Sequence, residues 1–482
     1  MPLDVIDTAT PELTSVPVEP VSPGIFRQVL SEAAYGELSA AVVTARSLLA
    51  GKVVWNVNST ARGGGVAELL QSLVAYACGA GVDARWLTIR GNPEFFKITK
   101  RIHNQIQGFA GDGGELGEAE HDAYDKSLVW PGRELASLVR PGDIVILHDP
   151  QTAGLVVDAK EAGARVIWRC HVGIDRPNDR AENAWEFLTR YLGSADAYVF
   201  SRDAFAWKNL RRDKIVVIPP SIDPFSPKNN LMTPARSAAI LISSGLLSGY
   251  AAATPYYVRK DGSTGFVGRR ADMIQAAPAV PATRLVTQVS RWDRLKDPIG
   301  VMHAFAEFVP ASTGAHLVLA GPEVSAVADD PEGADVLNQT ILAWEGLPEA
   351  ARTRVHLARL PMADPEENAA IVNALQRWSE VIAQKSLAEG FGLTVAEAMW
   401  KGRPVVASRI GGIQDQIEHE KSGLLLDDPN DLAAFGRAVD GLLDNPARAA
   451  EMGQAAQERV RAHFLNDRHL EQYVDLFLRL AA

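Results

Sequence analysis

The chain alternates short apolar runs with helix-length amphipathic segments, and it does so twice. In the first series the runs 52–57, 84–89, 143–148, 165–169, 197–201 and 215–218 are strand candidates. A second series starts near Pro281, with strand candidates at 285–289, 316–320, 354–357, 380–383, 404–407 and 423–426. Helical segments lie between and after these, at 298–309, 364–377, 393–400, 430–443 and 446–463. Near-continuous apolar strands separated by helices predict a mostly parallel sheet covered on both faces. Two series in 482 residues predict two such sheets in tandem, since single cores rarely grow that large. The expected class is α/β, with two Rossmann-like doubly wound domains. Ligands bind beyond the carboxyl ends of such strands, so an interdomain cleft is the expected site.

Residues 1–25, rich in Pro, Thr, Val and Glu, read as a flexible lead-in. Residues 26–228 form the expected N-terminal domain and 282–464 the C-terminal one. A final helix at about 465–482 is expected to pack back on the first domain. The stretch 229–281 is too long for a plain linker and reads as an insertion or a flap. Within it, "YYVRKDGSTGFV" sets Asp261-Gly262 between β-rich flanks, a hairpin signal.

The balance of 48 basic against 59 acidic residues gives a formal charge of −11, which argues against a nucleic-acid or anionic-membrane partner. The two cysteines, Cys78 and Cys170, have no metal-ligand spacing and suggest a reducing compartment. The N-terminus shows no signal-peptide pattern. The longest uncharged run, Ser237–Val258, is too rich in serine and glycine for a membrane span. A soluble cytoplasmic protein is expected, and a homodimer is compatible with this reading.

Three motifs carry chemistry. "NSTARGGGVAELL" follows the strand 52–57 and opens a helix with three glycines, Gly63 to Gly65, a turn whose amides suit an anion. It lacks the spacing of the dinucleotide fingerprint, and the next strand ends in basic "RWLTIRG" with no acidic ribose partner, so a nicotinamide cofactor fits poorly. "SRWDRLKD" puts Arg291 and Lys296 in the loop after 285–289, a planar fork and a point charge suited to the two phosphates of a diphosphate. "SLAEGFGLTVAEAMWKGRPVVAS" places Glu389 before a tight Gly390-Phe391-Gly392 turn, a helix from Leu393, and Glu397 in that helix's second turn. The helix's first amides are free for phosphate oxygens, while a carboxylate there would bind hydroxyls. No D-x-D triplet and no His/Asp cluster with metal spacing occurs, so no metal is expected, and the cations stand in its place.

Taken together, "SRWDRLKD" and "EGFGLTVAE" resemble the retaining glycosyltransferases of family 4, which have the GT-B fold. The R-x4-K pattern falls on Arg291 and Lys296, and E-x7-E on Glu389 and Glu397. The segments "VNSTARGGGVAELLQSL", "ARWLTIRGNPEFFKITKRIHNQIQG", "LHDPQ", "WRCHVGID" and "PPSIDPFSPKN" look like the trehalose glycosyltransferring synthase group. The resemblance covers roughly residues 26–228 and 282–482. It implies transfer of glucose, with retention, from a nucleoside-diphosphate glucose (ADP- or UDP-glucose) to glucose. The product is α,α-trehalose, the reaction is reversible, and no cofactor is required. It implies that Arg291 and Lys296, with the turn Gly390, Phe391, Gly392 and Leu393, hold the donor diphosphate. Glu389 would contact the donor sugar, Glu397 the ribose, and His171 the donor glucose. Gly64 and Gly65 would let the first domain's backbone approach the diphosphate. Asn58, Ser59, Glu94, Lys100, His103, Asn104, Asp149 and Arg202 are the acceptor-side candidates. Lys100, His103 and Asn104 share one helix face by their spacing. Related retaining trehalose phosphorylases, which use inorganic phosphate to give α-glucose 1-phosphate and glucose, are the alternative.

Overall fold

The computed structural model describes residues 12–61, 64–324 and 332–481. The chain divides into two units: residues up to Pro220 with the segment from Asn466 onward, and Ser221–Leu465. Among the described residues the first unit holds seven strands: β1 (Leu13–Val16), β2 (Val53–Asn58), β3 (Asp83–Ile89), β4 (Ile144–His148), β5 (Arg165–Cys170), β6 (Ala197–Phe200) and β7 (Ile215–Val217). Their order is β1-β3-β2-β4-β5-β6-β7, parallel except for β1. β2, β4 and β6 are buried along their whole length, which is why their sequences are apolar runs with little alternation.

The second unit holds a hairpin, β8 (Tyr256–Val258) and β9 (Thr264–Phe266), and the strands β10 (Asp272–Ile274), β11 (Arg284–Val289), β12 (Ala315–Pro322), β13 (Val355–Leu360), β14 (Val381–Gln384), β15 (Val405–Ser408) and β16 (Leu424–Leu426). The main sheet runs β10-β13-β12-β11-β14-β15-β16, with only β10 antiparallel among the described pairings. Strand order reverses between β2 and β4 in the first sheet and between β11 and β14 in the second. Each reversal leaves a crevice at the carboxyl ends of those strands, the place where doubly wound sheets bind ligands.

Two parts of the sequence reading are corrected or completed here. The lead-in 1–25 is not flexible where it is described: Leu13–Val16 pairs with β3, and Glu134 accepts from the amides of Glu12 (2.8 Å) and Leu13 (3.0 Å). The strand is four residues long with one fully buried side chain, too short for an apolar period. Residues 1–11 lie outside the described residues. The stretch 229–281, read as an insertion or a flap, packs into the second unit. β10 extends the main sheet, and Ile240, Leu241, Tyr257 and Val267 share a core with Leu285, Val318 and Leu375. The hairpin forms across Asp261-Gly262, where Gly262 takes φ +82°.

The final helix, Asn466–Ala481, belongs to the first unit. Val474, Leu476 and Phe477 join a core with Val54, Ile146 and Ile167, and Asn466 donates to Ser72 Oγ at 2.8 Å. Beneath them Arg169 of β5 is 1% exposed. Its Nη1 donates to His469 Nε2 (2.8 Å) and to the Tyr473 hydroxyl (2.6 Å), and its Nη2 to the Ile218 carbonyl (3.2 Å).

The Glu134 contacts are testable. Glu134→Ala leaves two amides of a short edge segment without their acceptor and should lower unfolding stability by about 1–3 kcal/mol. Amide exchange at Leu13–Val16 should quicken more than exchange in β4.

Candidate functional site

In the second unit the site residues come off the carboxyl ends of β11 and β14. The loop after β11 turns through a short 3-10 segment, Arg294–Lys296, capped by Asp293, whose carboxylate accepts from the Leu295 amide (2.8 Å). The turn is tied down twice: Gln288 donates to the Lys296 carbonyl (2.6 Å), and the Leu387 amide donates to the Leu295 carbonyl (2.7 Å). The second tie joins the loops after β11 and β14. Lys296 thereby reaches Glu389, and its ammonium donates to the Glu389 carboxylate; both side chains are mostly buried. Arg291 stands at the outer side of the loop, 47% exposed, with Asp293 at 3.8 Å. The structure thus brings Lys296 and Glu389 into direct contact and keeps Arg291 beside Asp293 at the outer side of the loop.

Backbone packing fixes the Glu389 turn. The Gly412 amide donates to the Gly390 carbonyl (2.8 Å), and Gln416 donates to the Phe391 carbonyl (2.5 Å). A Cβ on Gly411 would lie 1.8 Å from the Glu389 carbonyl oxygen, so only glycine allows this approach. Gly392 takes φ +83° and starts the helix Leu393–Trp400 with no side-chain cap, leaving the first amides of that helix to a ligand or solvent. Glu397 faces inward at 3% exposure. One oxygen lies 3.5 Å from Lys228, and Oε2 has no hydrogen-bond partner. Behind it Lys401 donates to the Glu397 carbonyl (3.0 Å) and to Asn229 (2.8 Å). Burial drives the Lys401 ammonium well below its usual pKa, with Glu397 opposing.

In the first unit the residues gather at the ends of β2, β4 and β5. Asp149 follows β4 at φ 64°, ψ 179°, a conformation that costs a non-glycine residue of order 1–3 kcal/mol. Its neighbours hold it there. Its amide donates to the Arg169 carbonyl (2.8 Å), its carbonyl accepts from Trp168 Nε1 (3.1 Å), and its carboxylate accepts from the His171 amide (2.7 Å). Burial raises the carboxyl to about 7, against that amide and Arg169.

His171, at the end of β5, stacks on His148 with ring centroids 5.4 Å apart. Burial, then the charge of Arg169, brings His148 down to about 3, and the same causes hold His171 well below its usual value. Both rings are therefore neutral near pH 7. His148 Nε2 lies 3.2 Å from Asn56 Oδ1, an acceptor, so that nitrogen carries the proton. His148 Nδ1 then accepts from His171 Nε2 (3.1 Å), which leaves His171 Nδ1 as an acceptor.

The remaining candidates are more dispersed. Asn58 is 4% exposed with both ends of its amide engaged, donating to the Thr60 carbonyl (2.7 Å) and accepting from Trp86 Nε1 (2.7 Å), so it braces the loop. Ser59 beside it is half-buried. Gly64 takes φ +80° and caps the helix Gly65–Gly79; both glycines are exposed, and Arg62 and Gly63 lie outside the described residues. Glu94, Lys100, His103 and Asn104 lie on the helix Pro93–Ile106, the first two exposed and the others half-buried. Arg202 pairs with Asp175 and lies over the Phe205 ring at 5.6 Å. His148, Asn56 and Lys228 also stand in these clusters and belong to none of the three motifs that carry chemistry. His148 was within reach, since it ends the strand before the one that ends beside His171.

Among the described residues no group of three or more His, Cys, Asp or Glu side chains could hold a metal ion, and no helix is long and apolar enough to cross a membrane. A family model described as "Trehalose synthase, N-terminal domain" matches residues 56–207, and one described as "Glycosyl transferases group 1" matches 270–459. Over 430 residues the chain is 35% identical to a trehalose synthase of Pyrococcus horikoshii, covering 89% of this chain and 90% of that one. It is 27% identical over 421 residues to a trehalose phosphorylase of Pleurotus sajor-caju, covering 80% of this chain and 52% of the relative, about half its length. A solved α,α-trehalose-phosphate synthase (UDP-forming) from Burkholderia xenovorans, in complex with glucose-6-phosphate, superposes with a TM-score of 0.63 at 16% identity, covering 89% of this chain and 99% of that one. That likeness shows the fold, which is of the GT-B class.

The raised Asp149 carboxyl has a consequence for stability. Its pKa is about 3.9 when unfolded and about 7 when folded, so the folded state binds the proton more tightly. Its contribution is fully present below pH 4 and is lost as pH rises through 7. Denaturant unfolding of Asp149→Asn should therefore fall less steeply between pH 4 and 7 than unfolding of the unsubstituted protein. Parallel pH profiles would contradict the assignment.

Proposed function

The chain belongs to the trehalose synthase family of glycosyltransferases, and from that premise we propose that it transfers glucose from ADP- or UDP-glucose to glucose, making α,α-trehalose reversibly and without a metal. The observation that carries this reading is the Lys296–Glu389 pair, beside an uncapped helix start, at the crevice where strand order reverses in the second sheet. The cation and the free amides suit a diphosphate, and the carboxylate suits sugar hydroxyls. Arg291, exposed on the same loop, adds a second cation for the diphosphate. The buried, unpartnered oxygen of Glu397 suits a ribose hydroxyl, which a sugar nucleotide has and inorganic phosphate lacks. That oxygen favours the synthase over the phosphorylase reading.

In the first unit His171 Nδ1 accepts from a hydroxyl of the donor glucose. Gly64 and Gly65 admit the diphosphate close to the backbone. Ser59, Asp149 and Arg202, with Glu94, Lys100, His103 and Asn104 on their helix, bind the acceptor, and Asn58 holds the loop that carries Ser59. As the bond from the anomeric carbon to the diphosphate breaks, charge grows on the leaving oxygen, and Lys296, Arg291 and the Gly390–Leu393 amides stabilise it. The acceptor oxygen bonds to the same face of the anomeric carbon, and its proton passes to the leaving phosphate oxygen. The partners are small-molecule sugars and a sugar nucleotide.

Several assays test this. Incubating trehalose with ADP, UDP or phosphate, with products identified by NMR, should give a sugar nucleotide from a nucleoside diphosphate; α-glucose 1-phosphate from phosphate alone would establish the phosphorylase instead. Arg291→Ala and Lys296→Ala should each cut kcat by about 100- to 1,000-fold with the fold intact, and near-normal turnover in both would remove the diphosphate assignment. Glu397→Gln should raise the KM for the nucleotide sugar by about tenfold or more. EDTA should leave the rate unchanged; loss on chelation with recovery on adding Mg²⁺ would refute metal independence.

A further inference from the structure

Arg284, Arg377 and Arg403 are far apart in sequence, yet they line one pocket of about 340 Å³ in the second unit. Arg284 opens β11, Glu380 directly precedes β14, and Arg403 lies two residues before β15. These strands are parallel, so the pocket lies at their amino ends, on the sheet edge opposite Lys296 and Glu389.

The charges in the pocket do not balance. Its one lining carboxylate, Glu380, is held by Arg284 through Nε (3.0 Å) and Nη2 (2.7 Å). Arg377 has only neutral partners: Asn373 Oδ1 at 2.8 Å and the carbonyls of Asn229 and Asn230 at 3.0 Å. The Arg403 guanidinium makes no hydrogen bond among the described residues, although its Nε is buried. Ser237, 2% exposed, also lines the pocket with a hydroxyl that has no partner. Glu380 acts on Arg403 through its charge alone, with no hydrogen bond to it, so three arginines share one carboxylate. Two half-buried cations with no hydrogen-bonded carboxylate and an orphaned hydroxyl facing one cavity are what a bound oxyanion would satisfy. Burial, with Arg403 and Arg236 adding to it, pulls Arg377 down to about 10, a strain that an anion would relieve. The volume suits a small molecule rather than a bare ion, and Trp378 supplies an apolar wall for its carbon frame.

We propose that this pocket is a second ligand site, taking a phosphate monoester of a small polyhydroxy compound, with Arg377 and Arg403 on the phosphate and Ser237 on a hydroxyl or phosphate oxygen. The site is independent of the transfer reaction proposed above and would stand if that reaction were wrong.

The test uses the full chain carrying Arg291→Ala and Lys296→Ala, so that the diphosphate residues cannot report. Inorganic phosphate and glucose 6-phosphate are titrated into it by calorimetry. The ester should bind more tightly than free phosphate, and Arg403→Gln should weaken it at least tenfold. Arg403 has no hydrogen bond to lose, and circular dichroism checks that the variant folds. Ser237→Ala, which changes no charge, should weaken the ester severalfold. Unchanged affinity in Arg403→Gln, or no binding at millimolar concentrations, overturns the site. An ester bound no better than phosphate overturns the polyhydroxy part.

Discussion

One buried guanidinium links the first unit's fold to its chemistry. Arg169 sits in the middle of a parallel sheet with no carboxylate bonded to it among the described residues; its two Nη atoms donate to a histidine, a tyrosine and a carbonyl, while its buried Nε has no partner. A buried cation of that kind tolerates only neutral rings nearby, and His148, His171 and His469 are all held down by burial and by its charge. The same residue that anchors the last helix therefore decides the protonation of the ring that ends β5. Neutrality then fixes the tautomers, because Asn56 can only accept from His148.

The second unit solves the opposite problem. At the carboxyl ends of β11 and β14 it sets a lysine beside an uncapped helix start, and close backbone approach takes the place of side-chain caps. Gly411 and Gly412 come so near the Glu389–Phe391 backbone that no side chain fits between them. This contact, with the Leu387–Leu295 bond, holds the loops after β11, β14 and β15 as one body. Lys296 and Glu389 meet because their backbones are already tied, and little side-chain freedom remains to be lost when a ligand replaces either partner.

Much of this was legible in the sequence. Strands buried on both faces are mostly apolar, and β2, β4, β11 and β14 are read within a residue or so of their ends. The R-x4-K and E-x7-E spacings locate Lys296 and Glu389 because both lie in loops directly after such strands. What was not legible depends on contacts without a sequence period. β1 is too short to show alternation. Lys228 sits in a Pro- and Ser-rich stretch, yet it folds against a glutamate 169 positions later, as their residue numbers give. Asn58 reads as polar and available, but its amide is consumed by Trp86 and Thr60. The segment 229–281 reads as separable because its elements are short, whereas its apolar residues complete a core begun by β11 and β12.

The first unit's sheet is written by the first 220 residues, but its last helix is written by the final 17. During synthesis a whole second unit is made in between. Until the end of the chain emerges, Arg169 lacks His469 and Tyr473, and the apolar side chains of Val54, Ile146 and Ile167 lack their cover. The first unit therefore cannot complete its folding in the order in which it is translated. His171 reaches its final electrostatic setting only after the other unit exists, so an unfinished chain carries a first unit that is not yet complete.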